Sequence, residues 1–245
     1  VPIILAITDD VGPVTGNVKG QTSDDTTPTL SGTAEAGSLI TIYLDGILLP
    51  LTTVFADPIT GAWSYTLPAL TPGAHSFEVT ATLGGETSGR SPAATVTIDL
   101  TPPATPVIGA VTDDVGPGTG PLINGQATND DRPTLSGTGT AGDTIKIYDN
   151  ETFIGSTVVG ATGTWSFTPS SALSNASHAL TITATDPAGN VSDPSLPFTV
   201  VVDTVSTPPV IVGADDNVGT VTGNVPTNGT TNDTTPTLSG TAEAN

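Results

Sequence analysis

The chain has 245 residues, among them 28 Gly and 22 Pro, a composition that excludes long uninterrupted helices and demands frequent turns. Lys and Arg number 4 against 24 Asp and Glu, a formal charge of -20, so neither nucleic acid nor anionic membrane finds the cationic side chains that drive such binding. Cysteine is absent, which removes disulfides and thiolate metal sites as braces and leaves divalent cations as the partners that the charge favours.

In chain order, the opening VPIILAIT carries no basic residue ahead of its apolar run, and no segment approaches the roughly 20 apolar residues that span a bilayer. No membrane insertion by this segment is expected, and the chain reads as internal to a longer protein. After this first strand comes an acidic loop with Asp9 and Asp10 on one side and Asp24 and Asp25 on the other, then PTLSGT from Pro28. Alternation marks the strands that follow: Ile40 and Ile42 around Thr41, Trp63 and Tyr65 around Ser64, Phe77, Val79 and Ala81 between polar neighbours, and Ala94, Val96 and Ile98 around Thr95 and Thr97. A period of two means one wet face and one dry face.

The same blocks then return in the same order. TDDVG recurs from Thr112, PTLSGT from Pro133 and again from Pro236, and TGAWSY around Trp63 returns as TGTWSF around Trp165. A period of roughly a hundred residues is too long for a solenoid repeat and fits one whole β-sandwich. The second copy places Leu135, Ile145, Ile147, Trp165, Phe167, Leu180, Ile182, Phe198, Val200 and Val202 on the inward parity. The predicted fold is all-β: tandem immunoglobulin-like β-sandwiches of about seven strands each in an extended array. Thr/Pro-rich connectors at 101–106 and 205–209 divide it into a first repeat at 1–101, a second at 102–206 and the N-terminal part of a third at 207–245.

These blocks, together with HALTITATDPAGNVS and the closing VDTVSTPP, resemble the bacterial Ig-like tandem repeats of giant type 1-secreted and biofilm-associated adhesins. The resemblance covers essentially the whole chain. It implies an extracellular or cell-surface fibre whose repeats extend a distal adhesive domain of unknown ligand, and relatives that are calcium-stiffened rods. The glycine-rich nonapeptide of calcium rolls is nowhere in the chain, so calcium here would sit in sandwich loops.

The candidate metal ligands are Asp9, Asp10, Asp24 and Asp25 in the first repeat and Asp113, Asp114, Asp130 and Asp131 in the second. Asp99 and Asp203 at the ends of the last strands, and Asp186 with Asn190 in the DPAGN loop, complete the set. Ca²⁺ takes about six to eight oxygens in irregular cages, which loop carboxylates, Asn and carbonyls supply. Asp and Asn also open turns by bonding their own backbone, with no metal needed. Recurrence of the pairs in a chain so poor in Lys and Arg favours calcium. One ion is expected at the junction near 101–106, joining Asp99 to Asp186 and Asn190, and a second where Asp113, Asp114, Asp130 and Asp131 meet Asp203.

Other motifs reduce to structure. Trp63 and Trp165 open alternating strands on the inward parity, so core filling outweighs sugar stacking. His75 and His178 hold equivalent positions, one per repeat, and suit a corner clamp to a backbone group more than catalysis. Gly137, Gly139 and Gly142 spell GxGxxG but precede a strand rather than a helix, which denies them a phosphate. The sequons at Asn175, Asn190, Asn228 and Asn232 are no more than a Thr/Ser-rich chain yields by chance.

The function expected is therefore a non-enzymatic spacer or stalk, with neighbouring repeats of the same chain as its partners. Three readings compete. The ILLPLTTVFADP segment at 47–58, which FIGSTVVGA replaces in the second repeat, would suit a module gripping a glycan or host protein. A sandwich also serves as an accessory domain of a secreted hydrolase. Finally, the incomplete third repeat admits strand exchange with other copies in a fibre.

Overall fold

The computed structural model describes residues 1–220 and 222–242, and within the strand at 47–55 the side chains of 48–52 fall outside the description. Five of the twelve residues of the candidate gripping segment at 47–58 therefore contribute only their backbone.

The first repeat runs β1 (Ile3–Asp9), β2 (Gly16–Asn17), β3 (Thr22–Ser23), β4 (Thr29–Thr33), β5 (Leu39–Leu44), β6 (Ile47–Phe55), β7 (Ala62–Thr66), β8 (Gly73–Leu83), β9 (Glu86–Thr87) and β10 (Ala94–Ile98). The second runs β11 (Ala110–Asp113), β12 (Gly120–Pro121), β13 (Gln126–Thr128), β14 (Thr134–Thr138), β15 (Thr144–Asp149), β16 (Thr152–Val158), β17 (Thr164–Phe167), β18 (Ser177–Thr185) and β19 (Phe198–Val202). One sheet of each sandwich has the order β2-β1-β4-β7 or β12-β11-β14-β17, and the other β3-β10-β8-β5-β6 or β13-β19-β18-β15-β16. Among the described residues there is no helix.

The strand count exceeds seven because the leading edge of each repeat is broken. β1 pairs antiparallel with β4, the chain loops out through β2, and β3 then joins the opposite sheet parallel to β10, with Thr97 opposite Thr22 and Ile98 opposite Ser23. The second repeat makes the same switch, Thr128 lying opposite Val202. This crossover carries the acidic loop to the sandwich pole where the last strand ends.

The cores follow the period-two reading. Leu30, Ile40, Ile42, Trp63, Phe77, Val79, Val96 and Ile98 are buried in the first sandwich, with Tyr65 and Ala81 packed half-buried against them. In the second, Leu135, Ile145, Ile147, Trp165, Leu180, Ile182 and Val200 form the cluster, Phe167 and Phe198 lie at its margin, and Val202 is buried as well. Ile4 and Ile7 of β1 are both buried although three apart, because the register with β4 shifts between Ile4 and Ala6. Such a bulge inverts the parity within a strand.

The GxGxxG glycines have packing duties. A Cβ on Gly137 would lie 2.7 Å from the ring of Trp165, just as one on Gly32 would meet Trp63 at the same distance, so the indole lies flat over each glycine. Gly139 packs against Val159, and Gly142 turns with a φ of +95°.

The third body, Asp203 to Asn245, consists of β20 (Val210–Asp216), β21 (Gly223–Asn224) and β22 (Thr237–Thr241) in the order β21-β20-β22. It corresponds to the β1, β2 and β4 portion of a sandwich, and its Val210, Ile211 and Leu238 are exposed.

Candidate metal centre

The acidic loop is built from one motif used three times. Asp9, at the end of β1, accepts Ser23 Oγ at 2.6 Å on Oδ2 and the Val11 amide at 2.9 Å on Oδ1. Asp113 does the same with Thr128 Oγ1 and the Val115 amide, and Asp216 with Thr231 Oγ1 and the Val218 amide. Asp25, Asp130 and Asp233 are the second members: each sends its amide back to that Ser or Thr hydroxyl and accepts on Oδ1 from the amide two residues on. These aspartates thus close a loop that crosses between sheets, the turn-forming role open to any Asp.

That register corrects the pairing suggested by the DD doublets. Asp25 corresponds to Asp130, not Asp131, and Asp24 corresponds to Asn129 and Asn232. Asp131 stands where the first repeat has Thr26: both give their carbonyls to a leucine amide, Leu173 and Leu70 respectively. Its own carboxylate lies 3.7 Å from Arg132. Asp10 and Asp114 are exposed on the loop.

Asp24 is the carboxylate that the loop does not use. Its amide donates to the Ala188 carbonyl of the second sandwich at 3.0 Å, and its carboxyl lies against Gly189, where a Cβ would meet it at 3.1 Å. Beside this contact, Asn190 Nδ2 donates to the Asp99 carbonyl at 2.8 Å and to Asp186 Oδ2 at 3.0 Å, while Asp186 Oδ1 accepts the amides of Gly189 and Asn190. The DPAGN loop of the second sandwich is therefore seated on the pole where β10 of the first ends. Asn190 thus bridges the Asp99 backbone carbonyl and the Asp186 carboxylate, while the Asp99 carboxylate accepts the Thr101 amide. Asp203 follows β19 directly and accepts the Val205 amide.

The junction concentrates like charge. Burial, then the charge of Asp9, followed by those of Asp186 and Asp25, pushes the Asp24 carboxyl above the usual aspartate range. Burial and then the charge of Asp186 act the same way on Asp143, which is 4% exposed. Asp143 lines a cleft beneath the connector with Pro103, Pro106 and Val107. Asp143 precedes β15, and the pairing of β15 with β18, Thr144 opposite Thr185, brings it to Asp186. Asp24 Oδ1 and Asp25 Oδ2 are shielded from solvent and accept no hydrogen bond. Among the described residues, no three His, Cys, Asp or Glu side chains converge closely enough to hold a metal by themselves.

The histidines sit elsewhere, as corner clamps. His178 Nε2 donates to the Ser174 carbonyl at 2.8 Å and Nδ1 faces Asp149 Oδ2 at 2.7 Å. His75 repeats this with Thr71 and Asp45. An Asp-His pair of this kind supports hydrolytic chemistry only when the second ring nitrogen faces a nucleophile. Here that nitrogen is bonded to a backbone carbonyl in both repeats.

Two sandwiches with this strand order, one seated on the next through loops, define a tandem array of Ig-like domains. Residues 105–204, the second sandwich, match the model of the bacterial Ig-like domain family, and the blocks and strand order of that sandwich are repeated in the first. No curated protein matches the chain. Among solved structures, it is similar to the fibronectin(III)-like modules of Clostridium thermocellum CbhA (15% identity, 74% of this chain and 87% of that one, TM-score 0.44). Others are the BSP domain of a biofilm-associated protein (22%, 75% and 29%, TM-score 0.30) and a tetra-tandem repeat from the extending region of a large adhesion protein (20%, 79% and 50%, TM-score 0.30). The chain thus spans half or less of the two adhesion-related structures.

Proposed function

We propose that the chain is a structural spacer of an extracellular bacterial adhesin, and that Ca²⁺ at the junction of the first two sandwiches sets its stiffness. The observation that carries this reading is Asp24: a carboxylate wedged between two domains, crowded by Asp9, Asp25 and Asp186, with one shielded oxygen that no donor reaches. A shielded carboxylate oxygen without a donor is costly, and a cation relieves both the desolvation and the repulsion.

The oxygens fit Ca²⁺ better than a smaller or softer ion. Asp24, Asp186 and Asp143 would supply charge, with Asp99 beside them, and carbonyls and water would fill out the six to eight ligands that calcium accepts. Because fewer than three carboxylates converge in the resting arrangement, the loops would have to draw together, which couples binding to domain alignment. Bound calcium would supply charge neutralisation, and the proline-rich connector would limit the bend.

Calorimetric melting of the chain in CaCl₂, in MgCl₂ and in chelator tests the proposal. Binding to the folded state alone raises stability by about 2.7 kcal/mol at a hundredfold excess over Kd. A melt indifferent to all three conditions would defeat the calcium reading and leave a spacer held by its direct hydrogen bonds.

A further inference from the structure

In the second sandwich a cleft of about 380 Å³ opens between the edge strand β16 and the loop that leads from β17 to β18. That loop is where the two repeats part. Thr66 and Thr168 hold equivalent places, each bonded through its hydroxyl to the threonine that opens the facing strand, Thr29 or Thr134. Leu70 and Leu173 are equivalent as well, donating their amides to the carbonyls of Thr26 and Asp131. Between these anchors the first repeat has Leu67, Pro68 and Ala69, whereas the second has Pro169, Ser170, Ser171 and Ala172. Leu67 and Leu70 are buried members of the first core, while Leu173 is half-buried and stands outside the second. The longer loop thus exchanges packed leucine for a wall that carries two exposed serines.

The cleft gathers groups that the fold leaves unused. Phe153, in the FIGSTVVGA segment, is 54% exposed, yet its ring meets that of Tyr148 edge-to-face, with centroids 5.9 Å apart and planes at 65°. A ring fixed in orientation and left in water gains burial only from a partner that stacks on it. The Ser170 and Ser171 hydroxyls are exposed and, among the described residues, make no hydrogen bond. The Asp149–His178 clamp lines the cleft but is occupied, both ring nitrogens being engaged, so it shapes the site without reaching into it. No Lys or Arg lines the cleft, and Asp149 together with the formal charge of -20 opposes an anion there.

We propose that this cleft binds an uncharged glycan, a pyranose ring whose C–H face stacks on Phe153 and whose hydroxyls are met by Ser170 and Ser171. A sugar ring has one apolar face and a rim of hydroxyls, and the wall offers one aromatic face and two free hydroxyls that both donate and accept. A purely apolar ligand would bury the serines without partners, and a sialic or uronic acid would meet the Asp149 charge. The volume lies in the range of small-ligand clefts, which combine apolar walls with a few placed polar groups. None of these residues belongs to the Asp24 junction, so the site is independent of calcium and adds a weak grip to the spacer.

The test is saturation-transfer NMR on the full chain in chelator, with methyl glycosides of glucose, galactose, mannose and N-acetylglucosamine as neutral probes and N-acetylneuraminic and glucuronic acids as anionic ones. At least one neutral glycoside should receive magnetisation on its C–H face, and the anionic sugars none. Phe153→Ala should weaken that binding about tenfold, the worth of one aromatic stacking contact, while Phe153→Tyr keeps it. Because Phe153 is exposed, the Phe153→Ala variant should melt as the unaltered chain does, which separates loss of a contact from loss of the fold. Replacing Ser170 and Ser171 together by Ala should weaken binding severalfold. Silence from every neutral glycoside, preference for the anionic sugars, or binding that survives Phe153→Ala unchanged would each overturn the proposal, leaving the spacer and calcium readings untouched.

Discussion

Asn190 Nδ2, in the second sandwich, donates to the backbone carbonyl of Asp99, the residue that follows the last strand of the first, at 2.8 Å. The same amide holds Asp186 Oδ2, so one side chain both shapes the DPAGN loop and fastens it to the neighbouring domain. Asn190→Ala should cost the two-domain body about 1–2 kcal/mol, the worth of a partly buried hydrogen bond to a charged group. Chemical denaturation checks this, and loss of coupling between the unfolding of the two sandwiches is the expected signature.

The two histidine clamps should differ in value because their partners differ in exposure. Asp149 has a side chain 15% exposed and a second oxygen with no partner, whereas the Asp45 side chain is 46% exposed. Removing the hydrogen-bond partner of a largely buried carboxylate strands that carboxylate. His178→Ala should therefore destabilise by about 3 kcal/mol, and His75→Ala by about 1 kcal/mol or less. Equal losses in denaturant titrations of the two variants would contradict this ranking.

The acidic junction gives a sign to the pH dependence. Asp24 and Asp143 are raised above the ordinary aspartate value of 3.8, so the folded state holds their protons more tightly than the unfolded state does. Their effect is therefore a stability that falls as pH rises from 3.8 through the folded values. Asp57 and Asp233 act oppositely: amides of Thr60 and Ile59, and of Thr235, lower them, so their contribution is lost only as pH falls below 3.8. In chelator, calorimetry should show stability declining with pH above 3.8, and Asp24→Asn should flatten that decline.

Most of the fold was legible because it rests on local alternation. Ile40, Ile42, Phe77 and Val79 announce their strands by parity, and the repeated Trp fixes the copy number. Ile4 and Ile7 did not, since the bulge between Ile4 and Ala6 breaks the period. At the junction, the nearness of the DPAGN loop to the residue after the last strand was legible from the order of strands and loops, because Asn190 lies against the Asp99 carbonyl. The pairing of Asp25 with Asp130 is set by their equal distance from PTLSGT but was obscured by an identical DD doublet one residue out of register, and the Ser23 and Thr128 hydroxyls show what the pair does. Asp143, Asp45 and Asp149 were missed because each acts on a residue distant in the chain, Asp186, His75 and His178, and no local pattern encodes such contacts.

Small-angle scattering of the chain in calcium and then in chelator tests most directly whether an ion at the Asp24 junction sets the stiffness of the spacer. Removing the ion should shorten the maximum dimension and broaden the distance distribution, as repelling carboxylates release the DPAGN loop and the connector bends. Superimposable profiles in the two conditions would contradict the account, and would mean that Asn190, Asp24 and the connector hold the sandwiches without metal.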